Sequence, residues 1–162
     1  MQLPALFAVT LIVFGLILGL ADRLASNRIP LDQLTSKDAV AMGFAQALAL
    51  IPGVSRSGGT ISAGLLLGYR REDVARFSFL LAVPAVLASG ALELTKIGSA
   101  TAPDWGPTIL ATLIAFIVGY LVIAWFLRYI THHNFTVFVI YRIALGTGIL
   151  ALVGTGLIHP GI

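Results

Sequence analysis

The hydropathy pattern divides the chain into long apolar stretches separated by short polar segments. Four stretches carry at most one charged residue each: 1–21, 77–95, 105–127 and 140–158. About 20 apolar residues in a helix cross the hydrocarbon core of a bilayer. The pattern therefore predicts four transmembrane helices.

Residues 39–69 have a different pattern, in which two short apolar stretches flank the segment IPGVSRSGGT at 51–60. Pro52 lacks an amide donor and is expected to end the first helix. Gly53, Gly58 and Gly59 favour irregular backbone, and Thr60 is expected to cap a second helix. The two helices would be about 20 and 15 Å long, which is roughly half a membrane each.

The distribution of positive charge separates two geometries for this segment. If it crosses the membrane, the loop cations divide equally between the two sides. If it returns as a re-entrant hairpin, seven of the eight lie on one side: Arg23, Arg28, Lys37, Arg70, Arg71, Arg76 and Arg128, against Lys96. The positive-inside rule favours the second geometry. We therefore expect one membrane domain over 1–162, with 22–38 as a cytoplasmic loop, 39–69 as a re-entrant hairpin and both termini outside.

The composition supports a membrane protein. Apolar residues make up 58% of the chain and charged residues 10%, against about 45–50% and 25% in soluble domains. This excludes a water-soluble globule and a disordered chain. The net charge of +3 is explained by orientation in the membrane, so no nucleic-acid partner is expected. There is no cysteine to form disulfides or thiolate metal sites.

Arg56 is the residue that points most clearly to chemistry, because the hairpin would carry its charge into the membrane interior. Such a charge is retained when it faces a cavity and a counter-charge, and a guanidinium suits phosphate. Ser55, Ser57 and Thr60 add hydroxyls, and the glycines allow backbone amides to approach an anion at a helix N-terminus. The alternative is an interfacial turn with a snorkelling arginine.

Three further polar sites leave alternatives open. Gln46 could bind at the loop or make a contact between helices. Arg142 could turn into the cavity or snorkel to the interface. His132 and His133 are adjacent, which favours a solvated turn over a metal site, so no metal ligand is predicted in this chain.

The segments GFAQALALIPGVSRSGGTIS at 43–62 and FSFLLAVP at 77–84 resemble the undecaprenyl-diphosphate phosphatase family. The resemblance extends to the Ile140-Tyr141-Arg142 region. It implies hydrolysis of the C55 isoprenoid diphosphate to the monophosphate in the bacterial inner membrane, which recycles a carrier for cell-wall synthesis and is associated with bacitracin resistance. It also implies an inverted-repeat fold with two re-entrant hairpins and a pocket open to the outer face.

By residue, the resemblance implies that Arg56 binds the diphosphate with support from Ser55 and Thr60 as catalytic residues. Ser57 belongs to the same motif, and Arg142 matches a family arginine. Gln46 lies where the hairpin carries a polar residue. With Gly53, Gly58 and Gly59, these residues form the expected substrate site.

The family's other signature, a Glu-rich helix with a Ser- and His-containing loop, is absent from these residues. The chain therefore resembles the later part of the enzyme and is predicted to be inactive alone. The missing part would supply the nucleophile and the ligands of a divalent cation, Mg²⁺ or Ca²⁺. The polyprenyl diphosphate, the bilayer and a homodimer partner are the expected partners. Half of a secondary anion transporter is the main alternative, and a truncated interaction partner is another.

Overall fold

The computed structural model describes residues 3–97 and 105–156. The regular secondary structure of these residues is helical, apart from one isolated β-bridge between Ile29 and Tyr69. The helices are α1 (Leu3–Leu24), α2 (Ser36–Ala47), α3 (Arg56–Leu66), α4 (Arg71–Ile97), α5 (Trp105–His132) and α6 (Thr136–Gly154), with short 3₁₀ turns at Leu31–Gln33 and Leu48–Leu50.

Four helices are long and apolar enough to cross a membrane, as predicted: Pro4–Leu24, Arg71–Thr95, Trp105–His132 and Thr136–Gly154. Their boundaries differ from the predicted ones. The helix α1 continues to Leu24, α4 begins at Arg71 and α5 ends at His132, so each runs past the charged residue at which its expected limit was set. The helix α6 spans Thr136–Gly154 and so begins and ends four residues before the expected limits. The expected loop at 22–38 is shorter, because α1 runs to Leu24 and α2 begins at Ser36.

The helices α2 and α3 form an antiparallel hairpin. A Cβ on Gly59 would lie 2.7 Å from the carbonyl oxygen of Ala45, and one on Gly64 would lie 2.8 Å from Met42. At the open end, which we call the hairpin base, the Tyr69 hydroxyl donates to Asp38 at 2.7 Å. This bond lowers the pKa of the Asp38 carboxyl, with a second contribution from Thr35. Burial and the same bond raise the pKa of Tyr69.

The hairpin base is joined to the ends of three long helices. Asp22 of α1 accepts from the Arg71 guanidinium of α4 and, at 3.0 Å, from the Phe135 amide before α6. The chain therefore leaves α1 and enters α4 at the same end of the bundle. The buried core lies at this end: Leu18, Ala21, Met42, Ile61, Leu65, Tyr69, Val74, Ala75, Ile130 and Phe135.

Small residues bring α1 and α6 into close antiparallel contact. A Cβ on Gly146 would lie 2.6 Å from Ile12, and one on Gly19 would lie 3.2 Å from Val139. This packing carries Arg142 of α6 against α1 beside Gly15. The helix α5 contributes little to the interior, since Ile130 is its buried residue. The tip of the hairpin consequently meets α1 and α6 rather than α5.

Candidate functional site at the hairpin tip

The hairpin tip, residues 51–58, reverses the chain through a glycine turn. The 3₁₀ turn ends at Leu50, and Pro52 cannot continue a helix because it has no amide donor. Gly53 has φ +93°, a left-handed conformation that a side chain disfavours. A Cβ there would also collide with the Thr10 hydroxyl of α1. The sequence correctly predicted irregular backbone at this glycine.

The helix α3 begins earlier than predicted. Ser55 is the N-cap and accepts from the Gly58 amide at 3.2 Å. The prediction that Thr60 caps the helix is wrong, because Thr60 lies buried in the second turn and donates to the Arg56 carbonyl at 3.2 Å. Gly58 and Gly59 are helical, and their small size serves close packing. The start of the helix therefore lies directly at the tip, where the Gly58 and Gly59 amides are paired with Ser55 and those of Arg56 and Ser57 have no acceptor among the described residues.

Two long helices hold the backbone of the tip. The Thr10 hydroxyl of α1 donates to the Pro52 carbonyl at 2.6 Å, and the Arg142 guanidinium of α6 donates to the Gly53 carbonyl at 2.9 Å. Both contacts span distant parts of the sequence. They fix the two consecutive carbonyl groups of Pro52 and Gly53, in the turn that precedes α3.

A chamber of about 350 Å³ lies behind the tip, between α1, α3, α4, α5 and α6. Its polar corner is formed by Ser55, Ser57, Gly58 and Arg142. The rest of the lining is apolar or aromatic: Leu11, Leu18, Ile61, Phe79, Phe126, Phe135, Phe138 and Tyr141. Such a chamber suits an amphiphile with an anionic group at one end, since a few polar groups in an apolar pocket fix the orientation of a ligand.

The electrostatics of the corner are dominated by Arg142, which is 7% exposed. Its Nε atom is buried without a hydrogen-bond partner in the described chain, and no described carboxylate forms an ion pair with it. A buried cation without a counter-charge is unfavourable unless an anion completes the site. The two serine hydroxyls add donors that can rotate toward such an anion.

Arg56 differs from the expectation. Its side chain is exposed, it does not line the chamber, and it makes no ion pair or side-chain hydrogen bond with residues 3–97 or 105–156. Arg142 of α6 is buried and lines the chamber, whereas Arg56, the first residue of α3, is exposed and does not line it. The two arginines therefore have different surroundings at the same tip.

Two other predicted sites can be placed. Gln46 lies on α2, half-buried, with its Oε1 atom buried and unpaired among the described residues, and it does not line the chamber. His132 is the last residue of α5, and the ring of His133 stacks on Tyr129. Within the described ranges, no group of three His, Cys, Asp or Glu side chains is arranged to hold a metal ion.

Thr10 and the aromatic walls of the chamber were not predicted from the sequence. Thr10 had a visible signal, because it is the single hydroxyl residue in the apolar stretch 3–21. The aromatic walls had no visible signal in the sequence. Phe79, Phe126 and Phe138 come from three different helices, and they converge only through tertiary packing.

Comparison with known proteins places this arrangement in context. The family model described as "Bacitracin resistance protein BacA" matches residues 1–148. "Undecaprenyl-diphosphatase 2" of Agrobacterium fabrum is 61% identical over 155 residues, covering 95% of this chain and 56% of that protein. "Undecaprenyl-diphosphatase" of a Nocardioides species is 54% identical over 154 residues, covering 94% and 56%. The chain thus spans about half the length of the curated relatives it matches.

Proposed function

This chain belongs to the BacA family, and from that premise we propose that it forms the diphosphate-binding part of an undecaprenyl-diphosphatase, which removes the terminal phosphate of undecaprenyl diphosphate. The observation that carries the proposal is the buried Arg142 guanidinium, which has an unpaired donor in the polar corner of an otherwise apolar chamber. An anionic head with an isoprenoid tail matches both parts of that chamber. Such an activity would recycle the lipid carrier and accounts for bacitracin resistance in the family.

The phosphates would lie at the start of α3. The helix N-terminus carries partial positive charge and presents the amides of Arg56 and Ser57, which have no acceptor among the described residues, and both features favour phosphate. Ser57 and Arg142 would donate to phosphoryl oxygens from the chamber, with Ser55 keeping the helix start in place through its cap. Arg56, whose exposed side chain does not line the chamber, would reach the transferred phosphoryl group from the outside of the tip and stabilise its charge. Thr60 supports this geometry from within the helix rather than by contact with the substrate.

The isoprenoid would enter the aromatic part of the chamber. A volume of about 350 Å³ is enough for the first isoprene units only, so the rest of the tail would continue between helices into the bilayer. Burial of this apolar surface stabilises the complex in proportion to its area. The wall residues Phe126 and Phe138 would therefore set affinity for the lipid rather than the chemistry.

The hairpin is proposed to be re-entrant and to form one half of an inverted repeat. Thr10, which contacts the tip, precedes Asp22 at the base by twelve residues, or about 18 Å of helix. The tip would then lie near the middle of a hydrocarbon core of about 30 Å. Basic residues at the base would face the cytoplasm, and the site would open to the outer side of the bacterial inner membrane. A homodimer would bury part of the exposed α5.

A divalent cation, Mg²⁺ or Ca²⁺, would neutralise diphosphate charge in the complete enzyme. The described tip offers hydroxyls, amides and guanidinium groups but no carboxylate, and this donor set does not suit such a cation. Its ligands and the nucleophile would come from the family's other part, so this chain alone would bind the substrate without hydrolysing it.

The test is release of phosphate from a polyprenyl diphosphate in detergent by the protein expressed with whatever sequence adjoins this chain in its gene. Arg56→Ala should reduce the rate at least 100-fold, as expected for loss of a group that stabilises transition-state charge. Arg76→Ala is the matched control, since Arg76 is an exposed arginine on α4. Near-normal release by the Arg56→Ala protein would contradict the proposal. Anion uptake into liposomes without hydrolysis would favour the transporter.

A further inference from the structure

A second site lies on the outer surface of the pair α1 and α6, in a groove of about 760 Å³. Ligand sites span about 300–1,000 Å³. Gly19 forms part of the groove because α1 carries no side chain there and Val139 of α6 approaches it closely. The groove shares no lining residue with the chamber behind the hairpin tip. It is therefore a separate feature of the molecule.

The two ends of the groove differ in chemistry. At the hairpin base its lining is polar: Asp22, Arg23, Arg71, Asn134 and Thr136. Toward the middle of the helices it is apolar: Leu16, Leu20, Val139, Ile140 and Ile143. From Thr136 to Ile143 the wall of α6 rises by seven residues, or about 10 Å. The groove is thus amphiphilic along the helix axis.

The charges at the polar end leave one cation uncompensated. The two carboxylate oxygens of Asp22 are already occupied, one by the Arg71 guanidinium and the other by the Phe135 amide. Arg23 is exposed and has no ion pair or side-chain hydrogen bond within the described parts of the chain. Asn134 lines the same groove, and its side-chain carbonyl oxygen accepts from the Thr136 amide at 3.3 Å. The polar end can therefore receive an anion.

The position of the groove indicates which kind of anion binds there. Seven of the eight loop cations belong to segments that meet at the hairpin base, which is the pattern of a cytoplasmic membrane surface. A soluble anion would gain nothing from the apolar wall, and a symmetric second copy would bring a second Arg23 toward the first. We propose that the groove binds an anionic phospholipid, with its phosphate at Arg23 and Asn134 and its first acyl segment along Leu20 and Ile140. Basic sites between membrane helices bind anionic headgroups in this way.

The proposal can be tested by native mass spectrometry of the protein, expressed with any adjoining sequence, in micelles containing phosphatidylglycerol or phosphatidylcholine. The phosphatidylglycerol complex should form with about fivefold preference, the factor expected for one exposed cation near an anionic lipid. Arg23→Gln should remove the preference. Arg28→Gln should keep it, since Arg28 is an exposed cation five residues further along the chain, in the segment after α1, and does not line the groove. Ile140→Trp should weaken binding of both lipids by filling the groove.

Four results would overturn the proposal. The first is equal binding of the two lipids, and the second is equal preference in the Arg23→Gln and Arg28→Gln proteins. The third is displacement of phosphatidylglycerol by an equal concentration of inorganic phosphate, which would assign the groove to a free anion. The fourth is a dimer whose formation excludes lipid and is abolished by Ile140→Trp, which would assign it to a second copy. Each result is independent of phosphate release, so failure here leaves the proposed hydrolysis unaffected.

Discussion

The base and the tip of the α2–α3 hairpin are held by different kinds of interaction. At the base, carboxylates pair with side chains and amides beside the main buried core, as in Asp22 with Arg71 and Asp38 with Tyr69. At the tip, Thr10 and Arg142 donate to backbone carbonyls, and the buried Arg142 Nε atom has no hydrogen-bond partner among the described residues. The comparison teaches that stability is concentrated at the base, whereas the groups available to a ligand lie at the tip.

Among the substitutions that separate the tip from the base, Arg142→Met should have the largest effect on activity, because it changes the tip and leaves the contacts of the base in place. The change leaves the Gly53 carbonyl without its donor and removes the cation from the chamber, so phosphate release should fall about 100-fold. Arg128→Met is the control, because Arg128 is exposed on α5. Equal rates in the two variants would show that the chamber is not the site.

Asp22→Asn should destabilise the hairpin base and leave the tip unchanged. One neutral amide cannot replace both oxygens of the carboxylate, so the free energy of unfolding should fall by about 1–3 kcal/mol. Thermal unfolding in detergent measures this, with Asp32→Asn as the exposed control. Phosphate release per folded molecule should remain near normal. A loss of activity without a loss of stability would contradict the division between base and tip.

Thr10→Val should show how far the hydrogen bond from Thr10 to Pro52 positions the tip. The substitution preserves shape and removes the hydrogen bond to Pro52, which is worth about 1 kcal/mol. We expect a roughly fivefold lower rate of release and a fall in melting temperature of only a few degrees. Thr10→Ser should restore the rate because it keeps the hydroxyl. If serine and valine behave alike, the bond does not position the tip.

Tyr69→Phe should have the smallest effect and a characteristic pH dependence. The Tyr69 hydroxyl lowers the pKa of Asp38 below its ordinary value of 3.8. The stabilisation is therefore fully present above pH 3.8 and is lost as the pH falls through the lower pKa of the folded state. The difference in melting temperature between Tyr69→Phe and the parent protein should shrink in that acidic range. A difference that stays constant there would exclude this linkage.

The sequence predicted the spans and the break at Pro52 because both follow from local rules of hydropathy and backbone chemistry. The start of α3 was misplaced because both Ser55 and Thr60 are residue types that cap helices. The pair Gly58 and Gly59 added to the ambiguity, since glycines suit either a loop or a close contact between helices. In the structure Gly59 is helical and lies against Ala45. The sequence left open whether Arg142 turns into the cavity, and it could not show that Arg142 rather than Arg56 lines the chamber, because this depends on how the helices pack.

The most direct test of the account is photo-cross-linking with a polyprenyl diphosphate that carries a diazirine on its first isoprene unit. Cross-linked peptides from the protein, with any adjoining sequence, would be identified by mass spectrometry. If the diphosphate binds at the tip, label should appear on the chamber walls at Phe126 or Phe138 and be lost in the Arg142→Met protein. Label confined to the outer face of α5 or to the hairpin base, unchanged by that substitution, would contradict the account.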